Sequence, residues 1–94
     1  MNAYVYVLRC KDNSLYTGWT NDLRHRLEMH RSGKGAKYTR GRGPLVLVYV
    51  ELLADKSEAL KREAAIKAMT KQEKLLLIKN WHCQPEFLDL LEEE

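Results

Sequence analysis

Two tyrosine-bearing segments, Tyr4-Val5-Tyr6 and Tyr16-Thr17-Gly18, flank the run Lys11-Asp12-Asn13-Ser14, and this constrains the chain to open with a β-hairpin. Ala3 to Cys10 alternates weakly and is rich in Val and Tyr, residues that suit a pleated, half-buried surface. The four polar residues after it carry turn chemistry, and Leu15 to Trp19 reads as the return strand. Side chains alternate faces along a strand, so loop length decides whether Tyr6 and Tyr16 meet. A two-residue Asp12-Asn13 loop puts them on opposite faces, whereas a three- or five-residue loop or a bulge puts them on the same one.

The rest of the chain extends this start into a layered fold. Thr20 or Asn21 can N-cap a first helix, with Asp22 suited to its positive end, and Ser32-Gly33 ends it. Arg31 to Pro44 is basic and glycine-rich, a loop, and Leu45 to Leu53 reads as a well-buried strand. Asp55 or Ser57 opens a second helix to about Met69, and Thr70 can cap a third over Lys71 to Lys79. Pro85 begins a short acidic, leucine-bearing helix. The order ββαβαα predicts an α/β fold, a small three-stranded antiparallel sheet flanked by helices. With 94 residues there is room for one domain, placed at 1–82, with 83–94 an acidic tail.

Charge is unevenly distributed. All 16 Lys and Arg precede Glu86, against eight of the 13 acids; the remaining five acids follow. A basic body suits a polyanionic partner, because neutralising phosphates releases counterions. The distant cysteines Cys10 and Cys83 suit a reduced compartment. Met1-Asn2-Ala3 leads directly into a strand pattern with no apolar leader, so the expectation is a cytoplasmic protein outside the membrane.

Three groups of residues bear on chemistry. On the first helix, Leu23 and Leu27 mark the buried stripe, and Arg26 and His30 fall on or beside it. On the second, Ala59, Leu60 and Ile66 mark the inward face with Glu63 among them. A cation and an anion in apolar phase are costly unless paired or functional, and a structural Arg26–Glu63 salt bridge is the plain alternative. In the loop, Arg31, Lys34, Lys37, Arg40 and Arg42 bring five positive charges without an acid, and Tyr38 among them can stack on a base. The histidines have no zinc spacing, so a bound cation would be Mg²⁺ or Mn²⁺ on one carboxylate. No glycine-rich phosphate loop is present, which argues against nucleotide hydrolysis.

Taken together, these residues resemble the GIY-YIG endonuclease superfamily, in its small single-domain bacterial branch. The triplets correspond to Tyr4-Val5-Tyr6 and Tyr16-Thr17-Gly18, and the resemblance spans about residues 3–80. It implies catalytic roles for Tyr6, Tyr16, Arg26, His30 and Glu63, with Glu63 the ligand of one Mg²⁺ or Mn²⁺. The family's late asparagine falls on Asn80, where spacing varies. Tyr4 replaces the glycine that opens the first triplet, and Thr17 fills the middle of the second. The implied activity is DNA phosphodiester hydrolysis, structure-directed or weakly sequence-specific, in repair or recombination. A protein partner could supply targeting. The alternatives are a non-catalytic nucleic-acid-binding module of this fold, and a scaffold whose polar core residues are structural.

Overall fold

The opening Val/Tyr segment forms the middle strand of the sheet. A computed structural model describes residues 2–91 and contains β1 (Ala3–Arg9), β2 (Leu15–Thr20), α1 (Leu23–Arg31), β3 (Val46–Leu53), α2 (Lys56–Lys67) and α3 (Lys71–Lys79). Short 3₁₀ turns cover Lys37–Thr39 and Pro85–Leu90. Residues 92–94 of the expected tail lie outside the described residues. The strands lie in the order β2-β1-β3, both pairs antiparallel. The expected three-stranded antiparallel sheet with helices in the order ββαβαα is therefore what the chain forms.

The hairpin solves the parity problem with an odd loop. Cys10 N–H donates to Ser14 O at 2.9 Å, and Asn13 N–H donates to Cys10 O at 2.9 Å. Asn13 takes φ 67°, a left-handed conformation that asparagine tolerates well. Three residues, Lys11 to Asn13, thus make the turn. The resulting register sets Tyr6 opposite Gly18 and Leu8 opposite Tyr16. Tyr6 and Leu8 share a face, so Tyr16 joins them there.

The strand expected over Leu45–Leu53 is broken by a bulge. Its pairing with β1 slips between Val7 and Leu8, leaving Val48 as the extra residue. Leu47 and Val50, three apart, consequently point to one core, while Val48 and Tyr49 point to the other. The front core combines Tyr6 and Leu8 with Leu23 and Leu27 of α1 and with Phe87 and Leu90. The back core sets Val5, Val7 and Tyr49 against Ala59 and Ile66 of α2.

Helix ends follow local hydrogen bonding. Asp22 rather than Thr20 or Asn21 caps α1, its carboxylate accepting from His25 N–H at 3.2 Å. At the other end Gly33 adopts φ 83°, with Gly33 N–H bonded to His30 O and Lys34 N–H to Met29 O. Asp55 caps α2, which stops at Lys67 rather than Met69. Thr70 and Glu73 form a reciprocal capping box on α3. Leu60, expected inward, is 41% exposed because α2 buries the narrower Ala59–Ile66 stripe. The acidic C-terminal segment is a 3₁₀ turn packed on the front face, where Phe87 meets Tyr4 edge-on at 6.0 Å.

Ile66 is fully buried and anchors α2, which also carries Glu63. Ile66→Ala is expected to lower unfolding free energy by ~2–5 kcal/mol in urea titrations, the cost of reduced apolar burial plus a cavity.

Candidate active site

The site grows from the contact between Tyr6 and the strand beside it. A Cβ at Gly18 would stand 2.6 Å from Tyr6 Oη and 3.1 Å from Tyr16 Cε2. The glycine of the second triplet is therefore the gap into which the Tyr6 ring leans. Tyr6 is fully buried, and its hydroxyl meets His30 Nε2 at 2.7 Å. Tyr16 lies beside both, its ring 6.4 Å from Tyr6 and 5.3 Å from His30 between centroids.

Two helices bring the charged groups. α1 presents His30, 2% exposed, and Arg26, half-buried beside the Tyr6 and Tyr16 hydroxyls. α2 packs on the other face, in contact with all three strands. Glu63 lies within electrostatic reach of Tyr6, its side chain 17% exposed and 3.5 Å from Lys67 Nζ. No Arg26–Glu63 ion pair forms among the described residues, so the simple salt-bridge explanation for these two charges fails.

The electrostatics are dominated by burial. Desolvation pushes the Tyr6 hydroxyl up to about 12, opposed by the Arg26 guanidinium and reinforced by Tyr16 and Glu63. Burial also lowers His30 to about 4, and the Arg26 cation adds to that effect. Both groups are neutral at pH 7, with Tyr6 carrying its proton and His30 lacking an extra one.

The basic loop proves to be a wall of the site. Its 3₁₀ turn places Thr39 Oγ1 2.9 Å from His30 Nδ1. Tyr38 stacks on Tyr16 at 5.8 Å and 28°, and Arg42 lies 4.4 Å above the Tyr38 ring. Arg42 also bonds Asp12 of the hairpin at 2.6 Å. Gly35 touches the His30 ring so closely that a Cβ would lie 2.8 Å from His30 Cα. Thr39 and Gly35 were not among the residues expected from sequence. The run Gly35-Ala36-Lys37-Tyr38-Thr39 has the composition of an open loop, and a lone threonine there carries no periodic signal.

The remaining candidates separate. Lys34, Lys37 and Arg40 are exposed, with no acidic partner among the described residues. Arg31 faces the C-terminal segment, donating to Leu90 O at 2.7 Å. Tyr38 is 41% exposed, but its ring is occupied by Tyr16 and Arg42 rather than open on both faces. Asn80 is exposed at the C-cap of α3, and among the described residues its side chain makes no hydrogen bond with the tyrosine cluster.

Comparison with known proteins identifies the family. The model of the GIY-YIG catalytic domain matches residues 2–75, and the chain belongs to that family, a nuclease superfamily. Within it the chain is similar to UPF0213 proteins: 61% identical to one from Oceanobacillus iheyensis, covering 80% of this chain and 87% of that one. A Clostridium perfringens UPF0213 protein is 60% identical, over 80% of this chain and 81% of its own. The solution NMR structure of a Bacillus halodurans UPF0213 protein shares 49% identity and a TM-score of 0.57, covering 84% of each chain.

Charging His30 would place a cation in a buried site beside Arg26, so the unfolded chain takes up this proton more readily. The stabilisation is complete above the unfolded value of 6.5 and is lost as pH falls towards about 4. The loss should not exceed ~3 kcal/mol, by the usual conversion of a pKa difference into free energy. Urea unfolding across this range should show the slope in the wild type and lose it in His30→Gln; an unchanged slope would assign the titration elsewhere.

Proposed function

We propose that this protein is a divalent-metal-dependent DNA endonuclease that hydrolyses phosphodiesters with little sequence preference. The observation that carries the reading is the 2.7 Å contact between Tyr6 Oη and His30 Nε2, with Arg26 beside it. Membership of the GIY-YIG family supports the reaction class.

Tyr6 alone is a poor base, because burial holds its proton more tightly than that of a free tyrosine. A paired transfer removes the difficulty. Tyr6 is fully buried, so the water that attacks phosphorus reaches its oxygen only once substrate binding has opened the site. That water then gives its proton to the Tyr6 oxygen as the Tyr6 proton moves to His30 Nε2. Arg26 binds the scissile phosphate and balances the charge that develops on its oxygens. Binding there offsets the cation that lowers His30, so arrival of substrate raises the basicity of the imidazole. The P–O bond to the departing sugar oxygen breaks, and that oxygen takes a proton from solvent.

Glu63 would hold the metal. Among the described residues no group of three or more His, Cys, Asp and Glu comes together, so a closed protein cage is not what this site offers. One partly exposed carboxylate fits Mg²⁺ or Mn²⁺, ions that take few protein ligands and would draw the rest of their shell from water and phosphate. Such an ion, when bound, would supply charge stabilisation at the leaving oxygen. Lys34, Lys37 and Arg40 supply non-reacting phosphate contacts along the loop.

Mg²⁺- or Mn²⁺-dependent nicking of duplex, flapped or branched DNA is the expected activity, and Glu63→Gln should abolish it with the fold intact. Arg26→Ala should cut the saturated single-turnover rate by ~10² or more, with a small change in affinity. Neutralising Lys34, Lys37 and Arg40 should instead weaken binding. The slope of log affinity against log salt should then flatten by up to ~0.9 for each phosphate left without its cation. Salt-sensitive DNA binding without cleavage under either metal would leave a binding module in place of the enzyme.

A further inference from the structure

We infer that Thr39 is a positioning residue whose hydroxyl fixes the tautomer of His30, holding the proton on Nδ1 and leaving Nε2 free to accept from Tyr6. The hydrogens along one chain of polar groups point to one arrangement. Thr39 has one hydroxyl proton and gives it to Ala36 O at 2.9 Å, an acceptor with no hydrogen to offer. The same oxygen lies 2.9 Å from His30 Nδ1; with its proton directed to Ala36 O it accepts there, and Nδ1 carries the proton. A neutral imidazole then has its lone pair on Nε2, facing Tyr6 Oη at 2.7 Å. Tyr6 donates to it, while its oxygen remains open to a donor such as Arg26.

The surroundings permit one ring orientation. Turning the imidazole over would replace both nitrogens by carbons and forfeit two buried hydrogen bonds. Gly35 backs the ring, and Tyr6 and Tyr16 meet it edge-on at 5.7 and 5.3 Å. Thr39 is 2% exposed, so its hydroxyl meets His30 among protein atoms rather than at the open surface. Thr39 also follows Tyr38 in the same 3₁₀ turn, and Tyr38 stacks on Tyr16. One turn of the basic loop therefore orients two of the five proposed catalytic side chains.

The kinetic consequence rests on the endonuclease reading; the tautomer does not. The test is ¹⁵N NMR of the full chain labelled at histidine, at pH 7, beside single-turnover cleavage and DNA-binding measurements. Wild-type His30 should show a protonated Nδ1 and an unprotonated Nε2. Thr39→Val, which keeps the shape and removes the hydroxyl, should move the proton towards Nε2. Cleavage should slow about 10-fold or more at unchanged affinity, a range familiar for groups that orient a functional histidine. Thr39→Ser should restore both the spectrum and the rate. A wild-type His30 protonated on Nε2 overturns the assignment, even if the valine variant fails to fold. A valine variant with the wild-type spectrum overturns it too. If the spectra behave as expected and no variant cuts DNA, the endonuclease reading fails and the role of Thr39 in setting the tautomer stands.

Discussion

One buried hydrogen bond, from Tyr6 on the middle strand to His30 on α1, is the constraint around which the front of the molecule is arranged. Two polar side chains taken out of water must find each other or destabilise the fold. Several otherwise unrelated features serve that meeting. The three-residue hairpin turn sets the register, Gly18 leaves space for the tyrosine ring, and Gly35 lets the loop backbone close on the histidine. The bulge at Val48 keeps β3 filling both cores while the sheet bends around them. Sheet, helix and loop are thus fixed by a pair of groups whose chemistry is available once they are placed.

Arg26 links the two electrostatically. It favours ionisation of Tyr6 and disfavours protonation of His30, so its influence resists charge build-up at one end of the pair and helps it at the other. A phosphate bound at Arg26 would change both tendencies together. That coupling is a property of position, since Arg26 is held on the same helix as His30, four residues earlier.

Much of this was legible in the sequence because it rests on periodicity. Strand alternation, the cap residues Asp55 and Thr70 and the phase of Leu23, Leu27 and His30 all express local rules. Strand parity even makes an odd turn the condition for Tyr6 and Tyr16 to meet, and Asn13 in a left-handed conformation provides it. What stayed hidden depends on contacts between distant segments. Thr39 reaches His30 across nine residues, and Arg42 reaches Asp12 across thirty, neither at a spacing that a helix or strand repeats. Leu60 misled because an apolar residue next to a buried alanine looks inward until the width of the packed stripe is known. Asn80 marks the same limit, since sequence position alone does not say which way a helix end faces.

The acidic C-terminal segment gives the uneven charge of the sequence a direction in space. Arg24 is gripped by Asp89 at 2.5 Å and by Glu86 O at 2.9 Å, and Arg31 bonds Leu90 O. The flank of α1 is thereby screened, while Lys34, Lys37 and Arg40 stand beyond the helix end without acidic partners among the described residues. Along this side of the molecule, positive charge therefore collects beyond the end of α1, near the tyrosine–histidine pair, and is muted along the flank of the helix. A polyanion approaching this side would be drawn to the helix end in preference to the flank. The segment Glu86–Leu90 would then decide which side of α1 such a partner meets, by neutralising the other.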